Sequence, residues 1–384
     1  MINIKDKTKC SGCSACAQAC PQKCITMVAD NEGFMYPRVD ESSCVDCGIC
    51  ERVCQYIFPF DSKNTPINTY AYVISDEYIR SESSSGGAFT TIADYILSKG
   101  GKIYGASFDN DWNVILSSAD TLEGLSFLRK SKYVQASVGN TYAEVKTDLK
   151  NNRLVLFVST PCQINGLNHY LGKEYDNLFT IDFTCHGIPS PKVWRDYIKK
   201  YTNKGISYIN FRNKKKNGWN NYSLEINDKT GKPLLLQGNK QNLYMRGFLQ
   251  DLYCRPSCSN CVSRNFSTKC DIMIGDFWNI EQYHKEDIYN DNNGVSLCMT
   301  LSKKGEELIN CLNANGTFLK VPFKEAEAND SHSCILRSFS PHKFRSVFFK
   351  YYGILPLRIL IWLLIVPYNC LRKVYSNTVI KLKK

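Results

Sequence analysis

Apolar residues along the body of this chain recur in two periods, and their succession predicts strands and helices in turn. Tyr70-Ala-Tyr-Val-Ile74 reads as a strand. After it, Phe89, Ile92, Ala93, Ile96 and Leu97 follow the i, i+3, i+4, i+7, i+8 stripe of a helix that Gly100-Gly101 ends. Strands are predicted at Lys102–Phe108 and Val114–Ser117, and a helix over Thr141–Lys150. Arg153-Leu-Val-Leu-Phe-Val-Ser159 and Leu178-Phe-Thr-Ile-Asp-Phe183 are nearly unbroken apolar runs, the pattern of strands covered on both faces. Thr160-Pro161 then starts a helix, and Ser190-Pro191 starts another carrying Val193, Trp194, Tyr197, Ile198 and Tyr201. This order predicts an α/β or α+β body with a mixed sheet. It contains neither G-x-G-x-x-G nor a phosphate-loop lysine motif, which disfavours a standard Rossmann dehydrogenase.

The first 60 residues follow no such period; cysteine spacing organises them instead. Nine of the 19 cysteines lie before residue 55, so they cluster where a secreted disulfide scaffold would spread them. Cys10, Cys13, Cys16, Cys20 and Pro21 make C-x2-C-x2-C-x3-C-P, and Cys44, Cys47, Cys50 and Cys54 repeat the spacing without the proline. This is the bacterial ferredoxin pattern twice over: three close thiolates wrap one face of a cube while the fourth reaches the other cube. The spacing assigns Cys10, Cys13, Cys16 and Cys54 to one [4Fe–4S] cluster and Cys44, Cys47, Cys50 and Cys20 to a second. Zinc is the blander alternative, but it has no need of the eight-cysteine symmetry. Cys24 falls outside both sets and reads as a small buried filler. Met35–Val39 reads as a strand closing this unit, and 59–66 as its exit linker. The expected division is 1–60, a ferredoxin-type domain; 67–350, the body; and 351–384, a basic, apolar tail.

Three features of the body carry candidate chemistry. Ser83-Ser-Ser-Gly-Gly87 leads into a helix and offers N–H groups and hydroxyls suited to a phosphate or a flavin diphosphate, although an ordinary capped helix start uses the same residues. Cys162 and Cys185 follow the two buried strands, at the edge where open α/β sheets bind ligands. Cys254, Cys258, Cys261 and Cys270 include a C-x2-C pair, so a third cluster has two possible ligand sets: these local four, or Cys258 and Cys261 with Cys162 and Cys185. A structural zinc on the local four is the alternative. Lys214-Lys-Lys216 reads as a solvated turn or as a contact for an acidic cofactor tail.

Ser84-Ser-Gly-Gly-Ala-Phe89, Ser131-Lys-Tyr-Val-Gln135, Ser159-Thr-Pro-Cys-Gln163, Cys185-His-Gly187, Phe211 to Trp219, Arg255-Pro-Ser-Cys258 with Cys261, and Gly275-Asp-Phe-Trp278 together resemble the coenzyme F420 hydrogenase/dehydrogenase beta-subunit family over roughly residues 70–350. The resemblance implies an α+β protein, a ferredoxin-like domain followed by a flavin and iron–sulfur domain. It favours the distributed third-cluster set Cys162, Cys185, Cys258 and Cys261, and places FAD near Ser85, Gly86, Gly87 and Lys132. The implied function is an oxidoreductase passing electrons between clusters, FAD and coenzyme F420 or another hydride-accepting substrate, with a redox protein or ferredoxin as partner. His186 is a candidate proton donor, or a histidine merely hydrogen-bonded in its loop. The rivals are a non-catalytic electron-transfer adaptor without flavin, and the same architecture reducing a saccharide-pathway metabolite without F420.

Charge changes the picture only at the end of the chain. The net charge is +12, but no acidic residue follows Asp330 while ten basic ones do, which leaves residues 1–330 at +2. Nucleic-acid binding is therefore disfavoured. Ile359-Leu-Ile-Trp-Leu-Leu-Ile-Val366 is eight apolar residues, too few to span a bilayer, where about 20 are needed. Among basic and tyrosine residues it reads as a peripheral membrane contact or as a last helix packed on the body. The polar opening Met1 to Lys9 contains nothing that directs export, so a cytoplasmic location is expected, with membrane association through the tail.

Overall fold

The computed structural model describes residues 1–60, 65–328, 335–336 and 340–366. Residues 61–64 of the expected linker and the basic tail beyond 366 lie outside the described residues. The cysteine-rich unit contains one antiparallel hairpin, β1 (Ile25–Ala29) with β2 (Met35–Val39). Its own small core holds Ile2, Cys24, Ile25 and Cys50.

The body is built on an eight-stranded mixed sheet. Its strands are β3 (Asn68–Ile74), β4 (Lys102–Phe108), β5 (Val114–Ala119), β6 (Val155–Val158), β7 (Leu178–Phe183), β11 (Ile272–Asp276), β12 (Ser296–Thr300) and β13 (Gly316–Val321). A separate antiparallel sheet holds β8 (Ile206–Asn213), β9 (Ser223–Asp228) and β10 (Pro233–Gly238). The large sheet runs β13-β3-β12-β11-β7-β6-β4-β5. Its centre, β4, β6, β7 and β11, is parallel, and antiparallel strands close both sides. That centre explains the unbroken apolar runs: Val155, Leu156 and Phe157 have no exposed face because helices cover both sides. Helix Ala88–Ser98 packs Ile92, Ala93 and Ile96 on one face, and helices Thr141–Lys150 and Pro161–Leu171 cover the other. A third core lies beyond the strand ends, where helix Pro191–Thr202 buries the predicted Val193, Trp194, Tyr197, Ile198 and Tyr201 among Phe211, Tyr244 and Tyr253.

The apolar tail segment forms a helix over 357–366. Leu360, Ile361 and Ile365 join this third core, while Ile359, Trp362 and Leu363 stay exposed. One face of this helix is therefore packed on the body and the other is open.

The cysteine-rich unit is docked by specific polar contacts. Ser190, the cap of helix Pro191–Thr202, donates its hydroxyl to the Glu32 carbonyl, and Arg345 forks the Glu32 carboxylate. Gln55 joins Ser11, Ser263 and the Cys162 carbonyl.

One feature of β7 is unfavourable. Asp182 is wholly buried, and the Cys270 thiol and Thr268 hydroxyl lie beside it without closing full hydrogen bonds, so burial pushes its carboxyl up to about 7. A carboxyl whose folded pKa is raised loses stability as pH climbs from about 4 through about 7, because the buried ion must then form. Asp182→Asn is expected to raise the melting temperature, with a gain that grows between pH 5 and pH 8 and an upper bound of roughly 4 kcal/mol at about 1.4 kcal/mol per pKa unit. Thermal denaturation across that pH range measures it; a gain independent of pH would refute the assignment.

Candidate functional site

The carboxyl ends of the parallel strands open onto one large cleft of about 1770 Å3, counting its open mouth. Val158 at the end of β6 with Ser159 and Thr160 beyond it, Thr184, Cys185 and His186 beyond β7, and Gly275 and Asp276 at the end of β11 line it. This is the ligand edge expected of an open α/β sheet.

The Ser83–Gly87 loop forms one wall, but its hydroxyls are engaged within the protein. Ser83 donates to the Ile79 carbonyl and Ser85 to the Val295 carbonyl at 2.6 Å, while the Ser84 oxygen accepts from the Ser131 N–H at 2.8 Å. Ser85, Gly87 and Lys132 line the cleft. Gly86 is not among its lining residues: a Cβ there would lie 2.2 Å from the Tyr72 carbonyl oxygen, so this glycine lets the loop seat on β3. Lys132 turns its ammonium to the carbonyls of Leu128, Arg129 and Lys130, and burial pushes it down to about 7.

Two buried cations, Arg212 and Lys214, hold this wall. Arg212, at the end of β8, forks Asp276 with two 2.9 Å bonds and donates to Tyr133 Oη and the Ser84 carbonyl. Trp219 donates its indole N–H to the same carboxylate and stacks on Trp278 with centroids 4.3 Å apart. Lys214 corrects the solvated-turn expectation. Its ammonium is buried beneath the loop and donates to the carbonyls of Arg80, Ser85 and Asn293, whereas Lys215 and Lys216 are exposed and Lys215 pairs with Glu82. His186 lines the cleft with Nε2 2.9 Å from Asp251 Oδ1 and its ring edge-on to Phe248.

The cysteines gather into three places. Cys10, Cys13, Cys16 and Cys54 line one small cavity, and Cys20, Cys24, Cys44, Cys47 and Cys50 line another. The filler expectation for Cys24 holds for its burial, yet its sulfur lies 3.4 Å from that of Cys20, on the wall of the second cavity. In the body, burial raises the Cys162 thiol well above its ordinary range, and the neighbouring charges of Cys261, Cys185 and Cys258 raise it further. Burial also pushes Cys258 up to about 11, and the Ile188 N–H points at its sulfur from 3.4 Å. Cys270 stands apart from this group beside Asp182, which separates the local four. Cys254 neighbours Cys258 and Cys185, but its sulfur lies 4.0 Å from Asp251.

Among the described residues no three His, Cys, Asp or Glu side chains converge closely enough to hold one metal ion. The cysteines of the first two places stand around small cavities, and in the third the buried thiols raise one another's pKa.

The first and third places adjoin. Gln55, next to Cys54, donates to the Cys162 carbonyl at 2.8 Å, and Tyr56 Oη donates to the Ser257 carbonyl at 3.3 Å. Cys13 packs on helix Pro161–Leu171 so tightly that a Cβ on Gly166 would lie 2.8 Å from the Cys13 Cβ.

Comparison with known proteins comes to the same regions. Residues 152–326 match the family that describes the C terminus of the coenzyme F420 hydrogenase/dehydrogenase beta subunit. Residues 9–56 match the 4Fe-4S dicluster domain. A coenzyme F420-dependent sulfite reductase of Methanocaldococcus jannaschii is 25% identical over 323 residues, covering 80% of this chain and 47% of that protein. The chain thus spans about half the length of that relative. A ferredoxin of Streptomyces griseus is 34% identical over 88 residues, covering 23% of this chain and 72% of the ferredoxin. Among solved structures, the F420-reducing [NiFe] hydrogenase complex from Methanosarcina barkeri aligns with a TM-score of 0.46 and 17% identity, covering 68% of this chain and 84% of that one.

Replacing Arg212 by Met would leave the Asp276 carboxylate half-buried without its cation. The expected loss is about 3 kcal/mol of stability by urea denaturation, and Arg212→Met with Asp276→Asn is expected to lose less. Equal losses in the single and double variants would show that the ion pair contributes nothing.

Proposed function

We propose that this chain, whose residues 152–326 belong to the coenzyme F420 hydrogenase/dehydrogenase beta-subunit family and whose residues 9–56 are a 4Fe–4S dicluster domain, is an iron–sulfur flavoprotein oxidoreductase. Its acceptor or donor in the cleft is coenzyme F420 or another small hydride carrier, and its protein partner is a ferredoxin or similar redox protein. The observation that carries the reading is the contact of Gln55 and Tyr56 with Cys162 and Ser257, together with Cys185 on the cleft wall. The cysteine-rich unit, the third cysteine group and a cleft of cofactor size are thereby packed in series.

In this reading Cys10, Cys13, Cys16 and Cys54 hold one cluster, Cys20, Cys44, Cys47 and Cys50 a second, and Cys162, Cys185, Cys258 and Cys261 a third. Ser85, Gly87 and Lys132 line the flavin's place, with Gly86 shaping the loop behind them. FAD, when bound, supplies the conversion between single electrons and a hydride pair. The chain's own groups prepare that place. Lys214 and Arg212 fix the loop, and Lys132, its ammonium held on the carbonyls of Leu128, Arg129 and Lys130 and pushed down to about 7 by burial, carries a proton it can release near neutral pH. His186, oriented by Asp251, is a second proton-carrying group on the same wall. The cleft favours this reading over the adaptor, which needs no space of that size.

Iron, sulfide and flavin counted on protein purified without oxygen test it. The expected content is about 12 iron and one FAD per chain, falling to about eight iron in Cys162→Ser and in Cys258→Ser. About eight iron and no flavin in the unaltered protein would favour the adaptor.

We also propose a cytoplasmic location with peripheral contact to an anionic membrane. No helix among the described residues is long and apolar enough to cross a membrane. Helix 357–366 nonetheless exposes Ile359, Trp362 and Leu363 beside Ile354, which is 72% exposed, in a stretch of chain that is basic and lacks acidic residues. Because Phe348 and Ile361 are core residues, surface substitutions test this better than deletion of the tail. The unaltered protein is expected to float with phosphatidylglycerol vesicles and Ile359→Asp/Trp362→Asp to stay behind; equal flotation of both would refute the contact.

A further inference from the structure

We propose that Arg255 is the counter-ion of the first cysteine site and holds its reduction potential above that of the second site. The inference rests on the reading that Cys10, Cys13, Cys16 and Cys54 hold a four-iron cluster.

Arg255 belongs to the body, three residues before Cys258, yet its side chain ends inside the cysteine-rich unit and is 0% exposed. Nε donates to the Cys10 carbonyl at 2.7 Å, one terminal nitrogen to Gln135 Oε1 at 3.0 Å, and the other to the Met35 carbonyl at 2.8 Å. That last nitrogen also lies 3.7 Å from the Cys10 sulfur. The Tyr36 ring faces the guanidinium from 4.4 Å and the Phe34 ring from 5.4 Å. Every oxygen in this set is a neutral carbonyl or amide; none of the bonds goes to a carboxylate. A guanidinium stays charged at any ordinary pH, and a buried charge without an opposite charge is strongly unfavourable. The sulfur of Cys10 is the group in contact that can carry the balancing negative charge. Cation and thiolate site thus require each other.

Among the described residues no such buried cation lies at the second site. The Arg52 guanidinium reaches only the Cys47 carbonyl from an exposed side chain, and the Met1 ammonium is already paired with Asp46 and Glu51. Both are screened by water, whereas Arg255 is not. Adding one electron makes a cluster more negative, so a fixed, unscreened cation beside it stabilises the reduced form and raises its potential. The first electron taken up by the pair therefore rests on the site that adjoins Cys162. Because the cation comes from the body, this ordering exists only while the two parts are docked.

The test is an anaerobic redox titration of the whole protein with dithionite, followed by electron paramagnetic resonance, with signals assigned through Cys47→Ser and Cys162→Ser. In the unaltered protein the first site is expected to reduce before the second. Arg255→Gln, which removes the charge, is expected to lower the first site's potential and leave the second unmoved. Arg255→Lys keeps the charge but loses the fork that reaches the sulfur, and is expected to lower it by less. An unmoved first-site potential in iron-loaded Arg255→Gln, or equal shifts at every site, would overturn the role. So would loss of first-site iron in both variants with the second site still loaded, which would make Arg255 a structural strut. Absence of first-site iron from the unaltered protein would instead overturn the cluster reading beneath it.

Discussion

A single buried guanidinium joins the two halves of this molecule. Arg255 can be taken out of water only if each of its N–H groups finds an acceptor, and those acceptors come from both sides of the junction: Cys10 and Met35 from the cysteine-rich unit, Gln135 from the body. Charged hydrogen bonds of this kind are worth about 1.5–3 kcal/mol each and tolerate little displacement. Satisfying them sets Cys10 against the body, and other close contacts follow. Cys13 meets the one position on helix Pro161–Leu171 where a glycine leaves room, and Gln55 reaches the Cys162 carbonyl. What looks like a detachable electron-carrying unit is thereby built into the wall of the third cysteine group.

The same physics shapes the cleft. Its wall is a serine- and glycine-rich loop with few apolar contacts of its own, and buried cations hold it. Arg212 ties Ser84 to Asp276, and Lys214 ties Ser85 to Arg80 and Asn293. A loop held by its carbonyls keeps its side chains and remaining N–H groups in fixed places without filling the cleft. Preorganisation of this kind is what a cofactor site needs, because binding then orders little else.

Much of the framework was legible because it is local. Lys102–Phe108 and Leu178–Phe183 are strands over the residues that their apolar patterns predict, and Thr141–Lys150 is a helix over the predicted span. The doubled cysteine spacing also grouped Cys10, Cys13, Cys16 and Cys54, which line one N-terminal cavity, apart from Cys20, Cys44, Cys47 and Cys50, which line the other together with Cys24, since a short loop limits where its thiols can point. The β8–β10 sheet went unassigned, because its hairpin strands carry mixed polar and apolar residues that no clean period marks. Lys214 was misread for a related reason: three consecutive lysines look solvated until the carbonyls of Arg80 and Asn293, 134 and 79 positions away, are brought around the first of them.

By itself the sequence determined the succession of strands and helices, the mixed α+β class, the cysteine loops and the ligand edge, because periodicity and short-range spacing act within a few residues of chain. Only the tertiary structure shows which of the later cysteines are neighbours, bringing Cys162 near Cys185, Cys258 and Cys261 while Cys270 lies beside Asp182. It alone placed Arg255 inside the neighbouring unit and turned the two faces of helix 357–366 to different surroundings. The reason is physical: the cost of burying a charge or a thiol depends on what else is buried with it, and those partners come from segments far apart in the chain.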